Sequence, residues 1–388
     1  MLSADFSGVA LVAPASVGYT RYSTDGAGAF FARCLLAMVR QAGLDKQEVD
    51  GLSASSFTLA PDPVAALSIS LGLSPRWLEA VPFGGASAVM ALRRAARAVQ
   101  AGDATVVACI GADGNPRGGF EDLASSFSVA SIDAVAPYGN AGPSMPFAHV
   151  TRQYIDATGA TRADFGRLCV AQRFNASHCA HALLRQPMTL DEYLAAPAIC
   201  DPLHKLDLVM PCAGADGFLV LREDHAKSLK LPYARVLSVV ERHNAYPNEV
   251  PVLRGGWELE RERLYSQAGR EPQDVDVVAV YDDCPAIAFM QLEGIGFCAR
   301  GEARHLVRER DLRFCGDFPV NTSGGQLGCG QAGAAGGFLG LVEVLRQVTQ
   351  QAEGRQVRDA RLGAATGYGM VVYDRCLGTG AALLEGMW

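Results

Sequence analysis

QAGLDKQEVD (Gln41–Asp50) returns 226 residues later as QAGREPQDVD (Gln267–Asp276). Each copy closes an amphipathic stretch and leads into an apolar run, VDGLSAS (Val49–Ser55) and VDVVAVY (Val275–Tyr281). Near-copies this far apart mark a duplicated architecture. Duplication predicts an active site where the two halves meet.

Working outward, each half carries the same plan. In the first, Pro82-Phe83-Gly84-Gly85 makes a turn and a helix runs from about Ser87 to Gln100, with Val89, Leu92, Ala96 and Val99 on one face. Ala101-Gly102 ends that helix, and TVVACIG (Thr105–Gly111) reads as a buried strand. In the second half NTSGGQLGCGQAGAAGG (Asn321–Gly337) is the turn, and Phe338, Leu341, Leu345 and Val348 repeat the helical spacing. This alternation predicts an α/β protein with mostly parallel sheets and helices on their faces. The halves are read as residues 1–228 and 229–388, joined through Ser228–Pro232, with a strand at Gly217–Leu221. A loop insertion at about 115–200 opens with Gly- and Ser-rich text through GNAGPSMP (Gly139–Pro146); loops of this length usually serve a site.

Composition narrows the class. Of 388 residues 49% are hydrophobic and 19% charged, with 42 glycines, as in a tightly packed α/β protein. The net charge of −7 and the lack of a basic patch argue against nucleic acid. No apolar run approaches the roughly 18 residues of a membrane span. Asp5 precedes the N-terminal apolar stretch and no Lys or Arg comes before Arg21, so a first strand is expected there rather than a signal peptide. Eleven cysteines without a CxxC pair indicate reduced thiols and a cytoplasmic setting.

The duplicated halves, the inserted loop domain, DPLHKLD (Asp201–Asp207), GADG (Gly214–Gly217) and the C-terminal glycine loop together resemble the thiolase superfamily, sterol-carrier-protein branch, over nearly the whole chain. The resemblance implies a five-layer αβαβα fold with an inserted loop domain, a coenzyme A thioester as substrate with no bound cofactor, and a homodimer. Some relatives work with small OB-fold partners carrying a zinc ribbon.

It also implies a reactive set that this chain lacks. The nucleophile motif C-A-S-G stands here as Gly85-Ala86-Ser87-Ala88, G-H-P as Gly330-Gln331-Ala332, C-x-G as Gly367-Tyr368-Gly369, and H-D-C-F as Tyr281-Asp282-Asp283-Cys284. Losing a nucleophile costs on the order of a million-fold in turnover, which argues against ping-pong acyl transfer. What is retained is a glycine turn at a helix N-terminus, Gln331 as donor, and a phenol beside carboxylates. Side-chain alternation places Tyr281 and Asp283 on one face, with Asp282 pointing away as a cap.

This set suits retro-aldol cleavage at the β-carbon of a thioester. Thiolase-like aldolases of steroid side-chain degradation are similar: they lack the cysteine and have tyrosine at the position of Tyr281, but also tyrosine where this chain has Gln331. Tyr281, Asp283, Gln331 and Gly85 are therefore the catalytic candidates. Ser87, Asn321, Gly330, Gly369 and His149 are candidates for substrate contact. A second reading is a degenerate subunit supporting a partner, and a third is acyl transfer through Cys329 or Cys284. No metal site is expected: His178, Cys179 and His181 (SHCAH) have no further ligand in the sequence. Gly328–Gly333 matches G-x-G-x-x-G but lacks the preceding strand of a dinucleotide fold.

Overall fold

Alternate residues of the strand Val106–Asp113 belong to different cores. Val107 and Cys109 join one apolar cluster, while Val106, Ala108 and Ile110 join another. Phe218 and Val220 alternate with Leu219 and Leu221 in the same way along Ala213–Arg222. Strands apolar on both faces must be covered on both, and this sets the layering.

The computed structural model describes residues 5–59, 63–126, 132–133, 136–139, 142–250, 252–372 and 375–388. Asn140 and Ala141 of the predicted Gly139–Pro146 loop lie outside them. Among the described residues nine strands make one sheet: β1 (Val9–Thr20), β2 (Gly51–Ser55), β3 (Trp77–Ala80), β4 (Val106–Asp113), β7 (Ala213–Arg222), β8 (Tyr233–His243), β9 (Val277–Ala279), β10 (Leu362–Val372) and β11 (Arg375–Met387). A separate ribbon pairs β5 (Ala198–Cys200) with β6 (Leu203–His204).

The order β3-β2-β4-β7-β1-β8-β11-β10-β9 carries the duplication. Read outward from the centre, β7, β4 and β2 match β11, β10 and β9, and a parallel bridge from Val278 to Val320 stands where β3 would be. Among the described residues the half-sheets join through two residue pairs, Ala10–Arg235 and Leu11–Ala234.

The expectation of mostly parallel pairing is corrected. Among the described strands β2–β3, β2–β4 and β9–β10 run parallel, whereas β4–β7, β1–β7, β1–β8, β8–β11 and β10–β11 are antiparallel. A parallel pair needs a crossover that re-enters at the same end. The long insertion before β7 lets the chain return from the opposite end, and β11 begins three residues after β10 ends, with Arg375 paired to Val372.

Helices Ser87–Ala101 and Gly336–Val348 lie between the half-sheets, sharing a core with Phe218, Val236 and Leu384. Helix Ala27–Ala42 covers the outer face of the first strands through Phe31 and Met38. Gly256–Ala268 and Pro285–Gly294 cover the outer face of the second set through Trp257 and Phe289. The result is the five-layer αβαβα arrangement, and each fully buried Leu or Phe contributes about 1.5–3 kcal/mol. The N-termini of the two central helices point to one region, where the halves meet.

Candidate active site

The predicted strand through Tyr281 stops at Ala279, because side chains take over its hydrogen bonds. Val280 N–H donates to Asn321 Oδ1 at 2.8 Å, and Tyr281 N–H to Gln291 Oε1 at 2.9 Å. Gln291 Nε2 returns a bond to the Tyr281 carbonyl at 2.6 Å. Released from the ladder, residues 281–284 turn before Pro285 opens the next helix. Asp282 accepts from the backbone N–H of Gln326 (3.0 Å) and Leu327 (3.2 Å) and from Gln172 Nε2 (2.8 Å). It thereby ties helix Arg162–Ser177 to the short helix Gly325–Cys329. Tyr281 and Asp283 face the other way, into a cavity of about 710 Å³.

In that cavity Tyr281, Asp283 and Gln331 form a closed set. The Tyr281 hydroxyl donates to Asp283 Oδ2 at 2.8 Å. Gln331 Nε2 donates to Asp283 Oδ1 at 2.6 Å and to Tyr281 Oη at 3.1 Å. A carboxylate only accepts, so the amide nitrogen must face it. Both amide hydrogens are thus engaged, and Gln331 orients the pair rather than standing free for substrate. Burial pushes the Asp283 carboxyl up to about 7, with Asp282 adding to the rise and the Tyr281 hydrogen bond opposing it. Burial and the Asp283 charge drive the Tyr281 phenol well above its ordinary range. Burial also moves Asp282 up to about 7, against its three donors. Of the pair, Asp283 is the group poised to exchange a proton near neutrality.

Beside the Tyr281 ring, Gly84 and Gly85 lie just before helix Ser87–Ala101. A Cβ on residue 85 would sit 2.3 Å from Cε2 and Cζ of the Tyr281 ring and 2.3 Å from the Tyr368 carbonyl. The tyrosine ring occupies the space of the missing side chain. Glycine at 85 and tyrosine at 281 therefore go together, and a cysteine cannot enter without displacing the ring.

The other predicted residues fall outside the cavity lining. Ser87 is enclosed in the turn: its Oγ accepts from Phe83 N–H (3.1 Å) and donates to the Val81 carbonyl (3.0 Å). Asn321, at φ +47°, serves the end of β9. Gly330, at φ +100°, packs against Cys212, and Gly369 against the Phe83 carbonyl, each too closely for a Cβ. His149 is exposed. Cys284 is buried against Thr151 Oγ1 (3.7 Å) and held up to about 12 by that burial. Cys329 donates to the Ser323 carbonyl at 3.2 Å, beside Cys179. Neither thiol lines the cavity, and both are raised away from the thiolate that nucleophilic attack requires.

The structure adds Tyr368, Met370, Phe57 and Asp113 to the cavity wall. Asp113 accepts from the hydroxyls of Ser56 (2.6 Å) and Thr58 (2.7 Å) and from Ala334 N–H (2.7 Å), stitching the two halves together. Tyr368 lies within the GYG turn already singled out, whereas Phe57 and Asp113 carry no motif. Phe120, Leu123 and Phe147 from the insertion make one side of the cavity apolar.

Sheet order, layering and site define the class: an α/β protein of duplicated halves with its cavity at their junction. The thiolase C-terminal domain-like family model matches residues 253–377. The chain is 29% identical to a steroid side-chain-cleaving aldolase of Thermomonospora curvata, over 91% of this chain and 94% of that one. It is also 29% identical to a 17-hydroxy-3-oxo-4-pregnene-20-carboxyl-CoA lyase of Mycobacterium tuberculosis, over 82% of this chain and 85% of the relative. The solved Ltp2-ChsH2(DUF35) aldolase superposes with a TM-score of 0.85 at 27% identity, over 97% of each chain. The matching family model and these relatives support a thiolase-superfamily protein of the sterol-carrier-protein type.

Proposed function

We propose that this protein is a lyase that cleaves β-hydroxyacyl-CoA thioesters by a retro-aldol reaction without an acyl-enzyme. The observation that carries this is the Tyr281–Asp283–Gln331 set facing a residue 85 that has no side chain to acylate. Tyr281 takes the β-hydroxyl proton while passing its own to Asp283. The Cα–Cβ bond breaks, the β-carbon leaves as a carbonyl, and the electron pair moves to the thioester oxygen. Backbone N–H groups of the Gly84-Gly85 turn, at the N-terminus of a 15-residue helix, stabilise that enolate. The proton held on Asp283 returns through Tyr281 to Cα, giving the shortened acyl-CoA. The apolar wall from the insertion favours a bulky, water-poor acyl group, in keeping with the steroid substrates named for the two relatives.

The test is release of acyl-CoA and a carbonyl product from a β-hydroxyacyl-CoA with a branched or polycyclic acyl chain. Absence of cleavage, with or without a DUF35 partner, defeats the proposal. The partner belongs in the assay because the similar solved aldolase is a complex with a DUF35 protein. A homodimer through β3 is part of the same reading: that strand ends the sheet and exposes Leu78. Light scattering of the purified chain tests it.

A further inference from the structure

We propose that Cys179, His181 and Cys329 form a zinc site that fastens the loop insertion to the turn carrying Gln331. The sequence shows only part of it, because the third ligand comes from 150 residues downstream. Among the described residues, the two thiol sulfurs and an imidazole nitrogen all lie within 4.8 Å of one another. Cys179 Sγ stands 3.5 Å from Nδ1 and 3.4 Å from Nε2 of His181. With Zn–S near 2.3 Å and Zn–N near 2.1 Å, a tetrahedral angle separates sulfur from nitrogen by about 3.6 Å. The sulfur is near that spacing from both nitrogens, so a turn of the half-buried His181 ring about its side-chain bonds aims one of them at the ion. His178, the other histidine of the run, is engaged elsewhere: its ring packs between Phe174 and Phe314, and its Nδ1 is 3.1 Å from the Phe174 carbonyl.

Ligand type and charge agree with this choice. Two thiolates and a neutral imidazole balance a divalent ion, so the filled site carries no net charge among buried sulfurs. Sulfur ligands select zinc over magnesium or calcium. His181 is half-buried, giving the ion a way in and leaving a fourth position for water. The Tyr19 ring, with its centroid 5.5 Å from that of His181, steadies the imidazole.

None of the three residues lines the cavity, so the ion acts by bracing. The two segments already touch, Leu183 N–H donating to the Cys329 carbonyl at 3.3 Å and Leu184 N–H to that of Gly328 at 3.0 Å. Gln331 follows two residues after Cys329, and its N–H is held on the Met210 carbonyl at 2.8 Å. A metal cross-link here stiffens the turn that aims Gln331 at Tyr281 and Asp283.

The test uses the full chain, stripped with a chelator and kept reduced, titrated with Zn²⁺ by calorimetry and with Co²⁺ by absorption. The expected result is one ion per chain, a raised Tm with zinc, and a cobalt spectrum with thiolate charge transfer and tetrahedral visible bands. His181→Ala, at a half-buried position, should weaken binding at least about tenfold, since even an outer-shell partner is worth that much. Cys179→Ser should diminish the charge-transfer band, and His178→Ala should change neither measurement. Failure to bind one ion per chain, a cobalt spectrum without sulfur charge transfer, or binding unchanged in both His181→Ala and Cys179→Ser would overturn the proposal.

Discussion

Two tyrosine–carboxylate pairs in this molecule have nearly the same contact and opposite surroundings. Tyr281 donates to Asp283 at 2.8 Å at the cavity wall; Tyr19 donates to Asp216 at 2.5 Å inside the first half. Asp216 is wholly buried and also takes the Ser16 hydroxyl, whose oxygen accepts from Arg346 Nη2 at 2.9 Å. Tyr154–Glu293 and Tyr193–Asp207 are further pairs of the sealed kind. A phenol on a carboxylate is therefore no mark of catalysis in itself. Access to a cavity separates Tyr281–Asp283 from the rest.

The largest expected effect is on turnover. Tyr281→Phe and Asp283→Asn should each lower retro-aldol turnover about 10²- to 10⁴-fold, the usual range for a general acid–base group. Tyr19→Phe should leave turnover per folded molecule unchanged. Equal losses in all three variants, measured by acyl-CoA release, would erase the distinction between the pairs.

Next comes Gly85→Cys, which restores the thiol of the related thiolases on paper. The Tyr281 ring fills that space, so the variant should lose about 1–3 kcal/mol of stability through overpacking. It should also lose lyase activity and form no acyl-enzyme on incubation with acetyl-CoA. Acylation of the introduced thiol, seen by mass spectrometry with stability intact, would show that the ring yields readily.

Stability tests each carboxylate in its own way. Asp216→Asn leaves the Ser16 and Tyr19 hydroxyls mismatched in a sealed site and should cost about 1–3 kcal/mol by denaturant unfolding. Burial raises both carboxyls, and Asp283 is the one whose pH window can be named. Its carboxyl is raised to about 7 by burial, above its unfolded value near 4, so its contribution is fully present below pH 4 and lost as pH rises through 7. Asp283→Asn removes that pH dependence, so its stability relative to the parent should rise between pH 4 and pH 8 in denaturant unfolding.

The smallest effect is the pH profile itself. With Asp283 as final acceptor, the rate should rise with pH up to about 7 and then level. A profile flat from pH 5 to 8 would take the proton away from Asp283.

Part of the candidate site, the gathering of Tyr281, Asp283, Gln331 and Gly85 at one cavity, was legible before the structure, for identifiable reasons. Tyr281 and Asp283 sit in a turn whose spacing to the next helix is local, and alternation alone separates Asp282 from them. Gln331 follows from the glycine turn of the repeat. The partnership of these groups was not legible: the hydrogen bonds from Gln331 to residues 281 and 283 span 50 and 48 positions. Ser87, Asn321, Gly330 and Gly369 belong to the same motifs, yet they shape turns outside the cavity lining, because a motif does not say which of its members face inward. Phe57 and Asp113 enter the cavity from unmarked segments.

By itself the sequence determined the duplication, the α/β class, the helix–turn units and a glycine, not a cysteine, at residue 85. These rest on composition, periodicity and residue identity, which are local. Only the tertiary structure decided the antiparallel pairings, the meeting of Gly85 with the Tyr281 ring, the joining of Cys179 and His181 with Cys329, and the access that sets one tyrosine–carboxylate pair apart from the others. Each depends on contacts between residues distant in the chain, and these are set by how the layers pack rather than by any local pattern.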